Sequence, residues 1–226
     1  MAIEDQAKLE IALREFAARI CRWSYGPTRS SVGDLLSSRM PLISPDRPNW
    51  ATLYNMIVKK CKHGEDEIKP NIAVSKCLFD LSITPGWHAA NFDMGRMPTS
   101  FNHTTQFWQD VVFENEHGLC IPCFDFRSTP ILNSRKIRNL VYSLQNYWVR
   151  ERHPDLFDAK LCIISVPKKG GKRTIEFDFE DDADLMKRAE LNDRISAVYN
   201  IWSMILMQEN AQVRKTGTGG TNPFNF

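Results

Sequence analysis

Between residues 161 and 179 the chain spells a β-hairpin, and that segment limits the fold more than any other. Leu161 to Val166 is almost unbroken apolar sequence, Lys168-Lys169-Gly170-Gly171-Lys172-Arg173 follows, and Thr174 to Phe179 then alternates polar and apolar residues. Paired glycines supply the positive φ angles of a tight turn. The first run therefore reads as a buried strand and the second as its half-exposed return. A hairpin of this kind needs further strands and a covering layer of helices to bury its apolar face.

The flanking sequence predicts those partners. His117-Gly118 introduces an apolar strand from Leu119 to Phe126, and Asn133 or Ser134 caps a helix running to about Arg150. Ile137, Leu140, Val141, Leu144 and Trp148 share one face of that helix. Asp181, Asp182 and Asp184 favour a helix start through the macrodipole, and Ile195, Val198, Tyr199, Trp202, Ile205 and Leu206 mark a long helix to about residue 210. The order β-α-β-β-α matches the first five elements of a ferredoxin-like split βαβ unit. Pro223-Phe224-Asn225-Phe226 offers a short fourth edge strand. The expected fold class is α+β, with an antiparallel ferredoxin-like sheet in the C-terminal half, flanking helices and a helical N-terminal portion.

Toward the N-terminus, Leu9, Leu13, Phe16 and Ile20 form one stripe of a helix over 3–23, stopped at Ser24-Tyr25-Gly26-Pro27. Residues 41–49 carry three prolines and read as a connector, and Asn49 caps a helix from Trp50 to about Cys61. His63 to Lys69 reads as a polar turn, Ile72, Val74, Leu78 and Phe79 predict a strand within 71–82, residues 85–103 a long loop, and Phe107 to Phe113 a helix. The expected organisation is a helical portion over 1–68, an α+β core over 69–213 and a Gly/Thr-rich tail over 214–226, with a single domain as the alternative.

Several classes are excluded. Apolar residues are 42% of the chain and spread from end to end, so bulk disorder is not expected. No window approaches 18 uninterrupted apolar residues, so no membrane span and no membrane partner are expected. The acidic Met1-Ala2-Ile3-Glu4-Asp5-Gln6 start is not a targeting signal, and a cytoplasmic location with reduced cysteines follows. Cys120 and Cys123 have a metal-like gap, but a strand points them to opposite faces, so buried thiols are the expectation. The histidines 88, 103 and 117 show no spacing that singles them out.

Charge is the strongest local anomaly. The chain as a whole is nearly neutral at +2, yet residues 135–173 hold ten bases against three acids, a local net of +7, and residues 176–193 hold eight acids against two bases, a net of −6. Four of the bases, Lys168, Lys169, Lys172 and Arg173, sit at the glycine turn, where backbone and ammonium groups can approach a phosphate together. With Arg135 and Arg138 from the preceding helix they form a candidate anion clamp. The expected function is nucleic-acid binding or processing, with DNA or RNA as partner. The alternative is a non-catalytic assembly or adaptor subunit that oligomerises or docks a partner protein, using its six tryptophans and thirteen phenylalanines.

Whether the chain is an enzyme stays open, and no cofactor is assigned. If it is a metal-dependent nuclease or nucleotidyltransferase, Asp125 in Phe124-Asp125-Phe126-Arg127 and Asp178 on the return strand are the candidate Mg²⁺ ligands. The stretch around Asp125 resembles the first motif of archaeo-eukaryotic primase-type palms, which implies a nucleotide-contacting turn at the Ser165-to-Lys172 hairpin. That family carries a second acid with one residue between the two, where this chain has Arg127. A restriction-type nuclease core needs an acid before its lysine, and Ser165-Val166-Pro167-Lys168 supplies the lysine alone. Gly217-Thr218-Gly219-Gly220-Thr221 resembles the loop of the haem-dependent tryptophan and indoleamine dioxygenases, but the helix before it lacks a histidine. A flexible terminus that docks a partner is the simpler expectation there, with an RNA-touching glycine loop, as in CRISPR-type ferredoxin-like proteins, as another.

Overall fold

The computed structural model describes residues 3–18, 24–36, 48–98, 104–106 and 108–216. The expected helix end at 19–23, most of the proline connector, His103, Phe107 and the expected strand at 223–226 lie outside them. The helices are α1 (Ile3–Ala18), α2 (Gly26–Arg29), α3 (Val32–Leu36), α4 (Trp50–Lys60), α5 (Glu65–Leu81), α6 (Arg135–Trp148) and α7 (Arg188–Thr216). The strands are β1 (His88–Asn91), β2 (Met97–Pro98), β3 (Thr104–Thr105), β4 (Val111–Asn115), β5 (Gly118–Asp125), β6 (Lys160–Ser165), β7 (Lys168–Lys169), β8 (Lys172–Arg173) and β9 (Glu176–Phe179).

The main sheet has five strands in the order β1-β4-β5-β6-β9. All neighbours run antiparallel except β5 and β6, which are parallel, with Cys120 opposite Lys160 and Asp125 opposite Ser165. The protein is therefore α+β with a mostly antiparallel sheet flanked by helices. The ferredoxin-like order is not what the strands adopt. A split βαβ unit places another strand between its two parallel strands, whereas β5 and β6 are direct neighbours and β9 pairs on the outer side of β6. Both arrangements fit the same linear pattern, because the tight turn dictates only that β9 pairs with β6. β5 and β6 are buried along most of their length, as parallel neighbours covered on both faces should be.

Register separates the side chains into two faces. On one, Ala89, Val111, Phe113, Cys120, Phe124, Cys162 and Ile164 join Val32, Leu35 and Leu36 of α3, Leu53 and Ile57 of α4, and Val74 and Leu78 of α5 in a single apolar cluster. On the other, Ile121, Cys123, Leu161 and Ile163 are buried outside that cluster, on the side of α6.

Two helix starts follow the sequence closely. Asn49 accepts from the Thr52 amide at 2.9 Å to cap α4, and Ser134 accepts from the Ile137 amide at 3.3 Å to cap α6. Three elements differ from expectation, the first being β1, an edge strand of the main sheet within the expected loop over 85–103. Residues 65–81 are one helix rather than a turn and a strand. Its inward positions are Asn71, Val74, Ser75 and Leu78, spaced three, one and three apart, so the helical period is carried partly by polar residues. Asn71 and Ser75 both bond Thr28, with the Thr28 hydroxyl donating to Asn71 at 2.7 Å. Residues 111–115 form β4 rather than a helix, because pairing to β1 and β5 on both sides overrides local preference.

The chain divides into two compact units, one of residues 1–20, 98–104 and 189–226, the other of residues 21–97 and 105–188. The first unit holds α1 and nearly all of α7, where Phe16 meets Trp202 edge-on at 6.0 Å and Arg14 bonds Gln208. The second holds the sheet and α2–α6. Among the described residues no helix is long and apolar enough to cross a membrane.

Candidate functional site

β5 and β6 both end at residues the sequence singles out. Asp125 is the last residue of β5, and the glycine hairpin begins three residues after β6. The hairpin forms as expected, with Lys168 opposite Arg173, Lys169 opposite Lys172, and Gly170 and Gly171 at φ +54° and +83°. It is fastened to the loop after β5: the Lys168 amide donates to the Ser128 carbonyl at 3.0 Å, and the Arg173 guanidinium donates to the carbonyls of Phe126 at 3.1 Å and Val166 at 2.6 Å.

The charges are distributed differently from an open clamp. Arg173 is engaged by those carbonyls and by the Tyr25 hydroxyl. Lys169 pairs with Glu176, and Arg138 pairs with Asp178. Arg150 pairs with Glu180, and Lys160 lies 3.5 Å from Asp181. The basic and acidic stretches thus neutralise one another across the β6–β9 side of the sheet. Arg135 opens α6 at an exposed position. Only the ammonium groups of Lys168 and Lys172, among the four hairpin cations, make no ion pair or hydrogen bond with the described residues.

The two carboxylates are both engaged, and on separate strands. Asp125 is 4% exposed and accepts from the amides of Arg127 at 3.2 Å, Ile131 at 2.9 Å and Leu132 at 3.4 Å. It ties the loop after β5 into shape. Asp178 takes the Arg138 guanidinium and the Tyr142 hydroxyl. Burial, then the bond to Asp178, pushes the Tyr142 phenol well above its ordinary range, so it stays a donor. The register sets Asp178 beside Ile163, which lies beside Cys123, so β6 separates the two aspartates. That places their backbones roughly 12 Å apart, from strand spacing and rise. No group of three or more His, Cys, Asp or Glu side chains that could hold a metal occurs among the described residues. Sequence reasoning missed the buried polar residues Asn71, Ser75, Ser143 and Gln145, since nothing local distinguishes a buried amide from an exposed one.

Over residues 1–212 the chain matches the model of a family described as the sliding clamp-binding bacterial toxin SocB. It is 29% identical over 211 residues to the DNA replication inhibitor toxin SocB of Caulobacter vibrioides (strain NA1000 / CB15N), which spans 93% of this chain and 88% of that protein. No solved structure matches. The chain belongs to the SocB family. This membership overturns the expectation of nucleic-acid binding or processing through Lys168, Lys169, Lys172 and Arg173 as the main function, and with it a nuclease or nucleotidyltransferase role. The family is described by a protein partner, which favours the alternative of a chain that docks another protein. RNA binding has no support.

Proposed function

We propose that this chain binds a bacterial sliding clamp and thereby inhibits DNA replication. The observation that carries this reading is the family match across residues 1–212, which takes in α1, the whole sheet and most of α7. A chain that occupies a surface of the clamp denies that surface to the replication proteins that need it, in proportion to its affinity and concentration. Such a function needs a docking surface and no bond-making chemistry. The engaged state of Asp125 and Asp178 is consistent with that, since both carboxylates fasten backbone and side chains within the chain. A cytoplasmic location fits a partner in the replication machinery.

The test is direct. Purified full-length chain is titrated into the purified clamp of the same bacterium by calorimetry, and DNA synthesis is followed by thymidine incorporation after the chain is induced in cells. A saturable complex together with falling incorporation is the expected result. No heat and no complex by light scattering at tens of micromolar, about the weak end of specific protein association, overturns the reading.

A further inference from the structure

We infer that a polar cleft beside α2 and α3 is a binding site for a small zwitterion, a basic α-amino acid of the arginine or lysine kind. The site lies within the unit that holds the sheet, and it is independent of the clamp-binding reading.

The cleft has a volume of about 380 Å³, at the lower end of the range of about 300–1,000 Å³ over which small-molecule sites occur. Three segments wall it: residues 29–34 of α2 and α3, Asn91 at the end of β1, and the stretch from Gln106 to Asp110 that leads into β4. Two contacts give it a fixed shape. Gly33 packs directly on the Asn91 carboxamide, since a Cβ at that position would stand 2.2 Å from Asn91 Oδ1. The φ of Gly33 is not positive, so what glycine supplies there is close approach and not backbone freedom. Asp110 is held through one oxygen, Oδ1, which accepts from the Met94 amide at 3.1 Å and from the Gln106 side-chain amide at 2.9 Å. Its other oxygen has no partner among the described residues.

The lining decides the ligand. The Arg29 guanidinium, the Asp34 carboxylate and the side-chain amides of Asn91 and Gln109 make no hydrogen bond or ion pair with the described residues. Elsewhere the fold pairs such groups, as with Arg138 on Asp178 and Arg150 on Glu180. Val32, the apolar member of the lining, is 1% exposed, so an apolar ligand would find little to cover. A phosphate-bearing ligand would meet two carboxylates beside Arg29. A neutral sugar would leave all three charges without a counter-charge. No group of three or more His, Cys, Asp or Glu side chains that could hold a metal occurs among the described residues. A basic α-amino acid answers every group. Its carboxylate pairs with Arg29, and its α-ammonium and side-chain cation pair with Asp34 and Asp110. The Asn91 and Gln109 amides take its remaining donors and acceptors. Lys60 is not part of the lining, because its ammonium is turned to the oxygens of Ser30 and Ser31.

Titration of the full-length chain with L-arginine and with L-lysine, followed by protein NMR, tests this. Saturable shifts are expected at the backbone amides of Ser30, Gly33, Asn91 and Asp110, with a Kd of about 0.1–1 mM, the order a small polar ligand reaches in an open cleft. Agmatine lacks the carboxylate and citrulline lacks the side-chain charge. Each should bind about tenfold more weakly than arginine, the cost of one charge-assisted bond. Arg29→Ala should erase the preference for arginine over agmatine, and Asp34→Asn should weaken arginine and lysine alike. Both positions are exposed, and unchanged circular dichroism and melting temperature without ligand certify the fold. Gly33→Ala pushes the Asn91 carboxamide aside and should weaken binding of both amino acids. The inference is overturned if no saturable shift develops up to about 20 mM ligand, well above the expected Kd. It is overturned equally if the shifts fall outside the cleft, if agmatine binds as tightly as arginine, or if Arg29→Ala and Asp34→Asn both bind within about twofold of wild type.

Discussion

The two faces of the sheet are built by different physics. One face is dry: rings and branched side chains from α3, α4, α5 and five strand neighbours pack without a charge among them, and Trp87 stacks on Phe113 at 4.3 Å. The other face is covered by α6 and held by polar groups. Tyr142 and Arg138 grip Asp178, the Gln145 amide donates to the Ile121 carbonyl at 2.8 Å, and Ser143 accepts from the Met186 amide at 2.9 Å. Apolar burial supplies stability there as well, through Ile121, Leu161 and Ile163. What the polar contacts add is position: they fix where α6 lies and where the segment leading to α7 crosses it. The charge asymmetry so visible in the sequence is therefore largely used inside the fold.

That contrast predicts a graded series. The largest effect belongs to the dry face, where Phe113→Ala removes a 1% exposed ring. A loss of about 3–5 kcal/mol in urea unfolding is expected, and a loss under 1 kcal/mol would mean the face is not close-packed. On the polar face Arg138→Ala should cost about 1–2 kcal/mol, since Asp178 is roughly a third exposed and water replaces part of the contact. Tyr142→Phe should cost about 1 kcal/mol. A double-mutant cycle should show the two coupled through their shared carboxylate; strict additivity would show that they act separately.

The smallest effect concerns the thiols. Burial pushes Cys120, on the dry face, up to about 11, and Cys123, on the α6 face, up to about 12. Both values lie above the ordinary 9.0, so the folded state keeps these thiols protonated and unreactive. Their contribution to stability is complete below pH 9.0 and is lost as pH rises toward 11 and 12, where the unfolded chain alone ionises. At pH 8, alkylation followed by mass spectrometry should therefore label the half-buried Cys61 and Cys77 well before Cys120 and Cys123. Equal labelling would show that one face admits water.

The legible part of this fold was whatever a short stretch specifies for itself. Gly170 and Gly171 announce their turn because few other residues tolerate positive φ, and Asn49 and Ser134 announce helix starts because their side chains cap the next turn. The α5 helix was misread because Asn71 and Ser75 sit inward, and an inward polar residue is recognisable only once Thr28, over forty positions away, is seen bonding it. Asp125 stands out in the sequence as a carboxylate among apolar neighbours. Its partners, the amides of its own loop, are backbone groups that no residue pattern displays.

Linear order alone determined that a buried strand, a tight glycine turn and a return strand adjoin, since nearest-neighbour pairing follows from turn chemistry. Tertiary structure alone decided that β6 lies directly beside β5, and that the acidic stretch folds back onto the basic one. The reason is range. Backbone conformation answers to a few adjacent residues, whereas strand order and ion pairing depend on which distant surfaces exclude water together.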